Sequence, residues 1–563
     1  TASAMGVHHD LQVTLQPEDG SILGHDRIRV EPGGEAFIDI YLAAHASNLT
    51  VRKNEQPVAF QREGSRIRLP LDAEDRAAPF FLKVSYAAVF RDPVPDRPVN
   101  TDNPGYGVSG TISDKGTLLL AGSGWYPHVA AANAIYRIRV AAPAGVLAVT
   151  AGRSLGHRLE DGASLSEWQV DHPVRGLSLS AGRYEVQQRT VTGVTVATYL
   201  FPASRDLAET YLEHSARYLK LYSDRFGPYP FDKFAVVENF FPTGYGFASY
   251  TLIGSRVLRL PFIVHTSLGH EIAHCWWGNA VYVDYRTGNW SEGLTTYTAD
   301  YLYQEMISEA AAQQYRRQML RNYASLVKPA DDFPLSEFQS RTDPASKAIG
   351  YDKAAMVFHM LRRMTGDEGF WTVLQDVYRG RKFEAISWKD WQQAFERQSG
   401  KDLSTFFEQW IFRSGAPVLR LEVQSSDAGG RVQGRLLQER PFFALQVPLR
   451  LQGEQGSRET TVAASGRETE FVIGSGGPPL VLEADPDFDV FRRLHPSEIP
   501  PSVNSLRGAA SVRVLLTRGL SSQARQAAAT LAAGLGLDSP EMVEAGEVDP
   551  QTLKDSDLLL VGV

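Results

Sequence analysis

Cysteine is almost absent: Cys275 is the only one in 563 residues, so no internal disulfide can form and the fold must stand on its hydrophobic cores. No run of 18 apolar residues occurs, which leaves no segment that reads as a membrane-spanning helix. Positive charge is not in excess. The 57 Lys and Arg against 65 Asp and Glu give a net charge of −8, so the basic patch that nucleic acid requires is not expected. The first turn after the strand-like Val512 to Leu516 carries neither a GxGxxG nor a P-loop, and no nucleotide is assigned. What remains, 43% hydrophobic and 22% charged residues, is the composition of an ordinary globular protein. Its length exceeds what one core supports, and three to four domains are expected. Thr1 in place of Met fits a removed export signal, hence a periplasmic or secreted protein, and otherwise a cytoplasmic one. Nothing in the sequence speaks to oligomeric state.

Periodicity predicts a multidomain α+β chain. Alternation of period two runs from Leu11 to about Leu200, as in Leu11-Val13-Leu15 and Val194-Val196, and predicts an all-β domain over residues 1–203. Lone histidines there, such as His25 and His128, have no partner at ligand spacing and read as loop or surface residues. At Asp206 the period changes to a helical stripe, Leu207, Tyr211, Tyr218, Leu219, Tyr222 and Phe226, which ends at Gly227-Pro228. A mostly helical domain is expected over 204–417, closing at Gly415-Ala416-Pro417. Alternation returns after Val418, predicting a small β-sandwich over 418–495. A linker follows at Pro496 to Pro501. The strand-like Val512 to Leu516, the Ala-rich Ser522 to Leu535 and the strand-like Leu558 to Val561 then predict a βαβ piece over 505–563. Two parallel strands are few for an independent domain, so the native chain is expected to continue or this piece to dock on its neighbours.

The chemistry concentrates in His270-Glu271-Ile272-Ala273-His274. Residues four apart share a helix face, so His270 and His274 can aim at one metal ion, with Glu271 turned about 100° away. A zinc site of this kind needs a carboxylate from a following helix and keeps one open position; Glu292, in Asn289-Trp290-Ser291-Glu292-Gly293, is the candidate ligand. Water in such a site has a pKa near roughly 7, and Glu271 is placed to take its proton during attack on a carbonyl. A helix with two unrelated histidines is the competing reading. Thr296, one turn beyond Glu292, is a candidate outer partner for a histidine. Cys275 lies one position round the helix from His274 and reads as a small buried residue rather than a redox group.

Phe234 to Val237 reads as a short strand leading into Gly244, Tyr245, Gly246, Phe247 and Ala248. Two glycines after a strand let a substrate backbone approach and add to a sheet edge, although a plain turn reads equally well.

The run HEIAHCWWGNAVYVDYRTGNWSEGLTTYTADYL resembles the zinc-peptidase segment of the aminopeptidase N (membrane alanyl aminopeptidase) family of gluzincins. Seventeen residues separate His274 from Glu292, one fewer than that family usually has, and the missing one falls most simply between Asp284 and Asn289. The resemblance covers roughly residues 1–490, with its motifs within about 227–417. It implies a thermolysin-like catalytic domain, one zinc ion, a peptide substrate and aminopeptidase activity. It also implies that Tyr351, in Tyr351-Asp352-Lys353-Ala354-Ala355, donates a hydrogen bond to the oxyanion; by itself, a tyrosine opening a helix usually packs. The family's Gly-Ala-Met-Glu-Asn motif, whose Glu holds the substrate amino group, aligns with the stretch from Tyr245 to Ser249, and Ala248 stands where the Glu should be. A second amino anchor of the family falls near Ala121-Gly122-Ser123-Gly124-Trp125, which has no acid or amide side chain. A peptidase with no strict need for a free N-terminus is therefore an alternative. A non-catalytic peptide-binding relative and a zinc hydrolase acting on an ester or epoxide are others.

Overall fold

Every second side chain of Val7–Gln16 and Ser21–Val30 is buried, as a sheet with one face on a core requires. The computed structural model describes residues 6–31, 33–94, 107–130, 133–427, 429–509, 511–537, 540–546 and 557–562. The chain divides into two units, Thr1–Tyr282 with Leu374–Ala385, and Val283–Val373 with Ile386–Val563. Among the described residues no helix is long and apolar enough to cross a membrane.

In the first unit, an eight-stranded sheet has Val7–Gln16 at its centre, antiparallel to Ser21–Val30 and parallel to Ala134–Pro143. Leu11, Ile28, Leu82, Ile138 and Trp168 are fully buried in it. Two four-stranded sheets complete the β-rich part. A five-stranded sheet follows, in the order Glu185–Val191, Val194–Leu200, Lys233–Asn239, Tyr250–Gly254, Gly244–Phe247. Its first two strands lie before Asp206, where the sequence changes period, so this sheet begins in the region read as the β domain. Alternation marks a strand but carries no information about which sheet it joins.

The helix Ala208–Phe226 buries Tyr211, Tyr218, Leu219, Tyr222 and Phe226 of the stripe read from sequence, together with Leu212, whereas Leu207 lies just before it in a 3-10 turn; it stops at Gly227, whose φ of 118° suits glycine. Two of its tyrosines hold the segment around the HExxH motif: Tyr218 donates to the Val264 carbonyl at 2.6 Å and Tyr222 to that of Gly269 at 3.0 Å.

In the second unit, helices Ser291–Thr295, Leu302–Ile307, Glu309–Leu326, Trp388–Ser399 and Ser404–Ile411 precede the expected sandwich, two antiparallel three-stranded sheets with Val432, Leu436, Val447, Leu449, Phe471 and Ile473 inside. The helical stretch Ala354–Arg381 is interrupted at Gly366, with φ of 76°.

The C-terminal piece holds more than the two strands read from sequence. Val512–Leu516 is the middle of three parallel strands, between Glu541–Glu544 and Asp557–Val561. Helix Ser522–Gly534 packs Ala528 and Ala532 against Val514 and Leu516. A short helix, Val503–Gly508, precedes the sheet, where the sequence reading had no element.

Candidate functional site

The helix Ser267–Ala273 buries Leu268, Ile272 and Ala273 and leaves His270, Glu271 and His274 half-buried. His274 stands at its C-terminal cap with helical φ and ψ, and its ring lies 4.9 Å from that of His270. Asn289 organises the start of Ser291–Thr295: its Oδ1 accepts from the Ser291 amide at 3.0 Å and from the Ser291 hydroxyl at 2.7 Å. Glu292 sits in the first turn of that helix.

One potential ligand atom from each of His270, His274 and Glu292 lies within 4.8 Å of the others. His274 Nδ1 is 2.9 Å from the Trp277 carbonyl, which can only accept, so Nδ1 carries the hydrogen and Nε2 keeps its lone pair for a metal. Two imidazole nitrogens and one carboxylate, with the ring orientation of one fixed in this way, suit a four-coordinate zinc with a position left for water or substrate.

Gly244–Phe247 is the edge strand of its sheet, antiparallel to Tyr250–Gly254. A Cβ built on Gly246 would fall on Oε2 of Glu271, well inside van der Waals contact. The edge strand therefore runs directly over the Glu271 carboxylate, and glycine is what lets it do so. The sequence placed both residues in the site; their contact is a finding of the structure.

Ala248 is buried, and Ser249 beside it has φ of 69°. The nearest acid upstream, Glu238, is 1% exposed and engaged elsewhere: Oε1 accepts from the Ser204 hydroxyl and Oε2 from the Phe201 amide, both at 2.8 Å. Ala121–Ser123 forms a 3-10 turn followed by Gly124 at φ of 69°, and none of these residues carries a carboxylate.

Tyr351 does not open an α-helix. It lies half-buried within a π-helical turn, Ala348–Lys353, and a second π turn, Thr296–Tyr301, directly follows the Glu292 helix. Such turns recur at functional sites, where one extra residue re-aims a side chain. The Phe338 ring lies against Gly350, leaving no room for a side chain there, and meets the Tyr351 ring edge-on with centroids 6.1 Å apart. The Arg341 guanidinium is 5.7 Å from the centre of the Tyr351 ring.

Two buried ionisable residues follow the tyrosine. Asp352 accepts from Asn322 Nδ2 at 2.8 Å, and burial raises its carboxyl to about 7. Lys353 donates to the Gly415 carbonyl at 3.1 Å, and burial lowers its amine to about 8. Gly293, beside Glu292, is pressed against Ala354 with no space for a Cβ, which fixes the Glu292 helix against the end of the Tyr351 turn.

Cys275 is fully buried and its thiol is pushed up to about 12 by that burial, so a reactive thiolate is not formed near neutral pH. Thr296, the candidate outer partner, has its hydroxyl buried without a hydrogen bond among the described residues, so it does not orient a histidine there. That role falls to the Trp277 carbonyl, a backbone group that no sequence motif advertises.

Residues 210–410 match the Peptidase family M1 domain. Mitochondrial aminopeptidase 2 of Saccharomyces cerevisiae is 25% identical over 263 residues, 43% of this chain and 27% of that protein. Aminopeptidase N of Lactococcus lactis subsp. lactis is 29% identical over 168 residues, 28% of this chain and 19% of that protein. The match thus spans less than a third of either relative's length. The crystal structure of an M1 zinc metallopeptidase from Deinococcus radiodurans superposes with a TM-score of 0.58 at 21% identity, covering 73% of this chain and 94% of that one, a likeness of fold.

Proposed function

We propose that the chain, whose residues 210–410 match the Peptidase family M1 domain, is a zinc-dependent peptidase with His270, His274 and Glu292 as metal ligands, Glu271 as general base and Tyr351 as oxyanion donor. The observation that carries this reading is the convergence of one potential ligand atom from each of the three residues within 4.8 Å, with His274 Nδ1 engaged by the Trp277 carbonyl so that Nε2 is the ring nitrogen that would be left to hold a metal. A zinc ion held by these residues would supply Lewis-acid chemistry, polarising a carbonyl and making water acidic enough to lose a proton near neutral pH. Glu271 takes that proton and delivers it to the departing amine, so one water is consumed for each peptide bond broken. The Tyr351 phenol donates to the oxygen on which charge develops, a contribution of about 3 kcal/mol. The substrate adds as a strand beside Gly244–Phe247, whose main chain at Gly246 brings it next to Glu271.

The substrate requirement follows from what surrounds that strand. Pairing a substrate ammonium needs a carboxylate, yet none of Gly244, Tyr245, Gly246, Phe247 or Ala248 has one, and Glu238 is committed to Phe201 and Ser204. The enzyme is therefore proposed to discriminate weakly between free and N-acetylated peptides. The test is hydrolysis of matched unblocked and N-acetylated peptides, before and after chelation and zinc replenishment. Loss on chelation with recovery on zinc supports the peptidase reading. Strong rejection of the acetylated peptides would place an amino anchor in other residues.

A further inference from the structure

The short helix Val503–Gly508 has two faces with different partners. Leu506 packs against the core of the C-terminal α/β piece, formed by Val514, Leu516, Ala528, Ala532 and Leu537. Asn504 and Gly508, four residues apart and so on one face, meet the helix Glu309–Leu326. Gly508 is pressed onto the Ser325 carbonyl so closely that any Cβ would overlap it. Asn504 Nδ2 donates to Asn322 Oδ1 at 3.2 Å.

That contact continues toward the site. Asn322 Oδ1 also accepts from Gln318, so its oxygen faces two donors and its Nδ2 is turned to Asp352, to which it donates at 2.8 Å. Asp352 is 8% exposed and adjoins Tyr351 in the π-helical turn. A buried carboxyl held by a directed donor resists rotation of the turn that carries it, because any other arrangement leaves a polar group unpaired. Lys353 does the same on the next position through the Gly415 carbonyl.

We propose that Asp352 and Asn322 are positioning residues for Tyr351, and that the C-terminal α/β piece acts as a buttress for this turn through Asn504. The inference rests on the oxyanion role given to Tyr351 above. It assigns the C-terminal piece a mechanical part in turnover rather than a ligand of its own.

The experiment compares Asn322→Ala, Asn504→Ala, Asp352→Asn and Tyr351→Phe, and the double variant Asn322→Ala/Tyr351→Phe, in the full chain, measuring kcat, KM and bound zinc. Asn322→Ala is expected to lower kcat roughly tenfold or more, the scale of a sub-ångström to 1 Å misplacement, with KM and zinc content retained. Asn504→Ala should give a smaller loss of the same kind. Asp352→Asn keeps an acceptor for Asn322 and should retain most of the turnover. In the double variant, Asn322→Ala should cost almost nothing beyond Tyr351→Phe, because both act through one phenol. A full additional loss in the double variant, or unchanged kcat in Asn322→Ala, overturns the proposal. Unchanged kcat in Tyr351→Phe would instead refute the oxyanion assignment, so the two failures are distinguishable.

Discussion

Gly246→Ala tests the closest contact in the site. The added Cβ would lie about 1 Å inside ordinary contact with Glu271 Oε2, and the strand cannot simply retreat, because it is paired to Tyr250–Gly254 along its length. The carboxylate must then swing away by about that distance or the edge strand must lift. Either movement separates Glu271 from the water and the scissile bond it serves, and a displacement of about 1 Å costs on the order of a hundredfold in rate, close to 3 kcal/mol. Tyr218 and Tyr222 hold the Val264 and Gly269 carbonyls just ahead of His270 independently of the edge strand, so zinc should stay bound. The assay is steady-state hydrolysis of a fluorogenic peptide alongside zinc analysis. Turnover within about threefold of the unmodified protein, with zinc bound, would refute the claim that the Gly246 backbone lies over the catalytic carboxylate.

Glu292→Ala removes one of the three proposed ligands and should reduce zinc retained through gel filtration several-fold or more, with stoichiometric zinc in the variant pointing to a different third ligand. Glu238→Ala should lower stability through the loss of buried partners for Phe201 and Ser204 while leaving the ratio of rates on free and acetylated peptides unchanged, measured by thermal melts and the paired assay. Among the described residues, buried Lys233 has as hydrogen-bond acceptors the Thr150 and Ser249 carbonyls and the Ser249 hydroxyl, and burial lowers its amine from 10.5 to about 7. Between those values the unfolded chain binds more protons than the folded one, so its contribution is fully present above pH 10.5 and is lost as pH falls toward about 7. Lys233→Met should therefore gain relative to the unmodified protein by up to about 1.4 kcal/mol per pH unit as pH falls from 9.5 to 7.5, read from denaturant melts; a pH-independent difference would contradict it.

The convergence of His270, His274 and Glu292 was legible because the geometry is local or nearly so. His270 and His274 share a face by helical spacing alone, and Glu292 follows in the next helix of a recognisable run. Tyr351 was legible only through resemblance, since nothing in its neighbours announces the π-helical turn it occupies. The Gly246 contact with Glu271 was not legible: it depends on Gly244–Phe247 folding back as the edge strand, and a Gly-rich stretch reads equally well as a turn. Glu541–Glu544 escaped because four residues with two acids show no strand alternation; the parallel ladder to Val512–Leu516 makes them a strand. Asp352 and Lys353 had no part in the sequence argument beyond the Tyr351 motif, and their burial reflects packing by Asn322 and the Gly415 carbonyl, both distant in sequence.

The central claim, that Glu271 performs proton transfer in a zinc peptidase, is tested most directly by Glu271→Gln. The amide keeps the size and hydrogen bonding of the side chain but cannot accept a proton from water. The variant should bind one zinc per chain and hydrolyse peptides at least a thousandfold more slowly across the pH range, whereas peptide hydrolysis within tenfold of the unmodified protein would contradict the account.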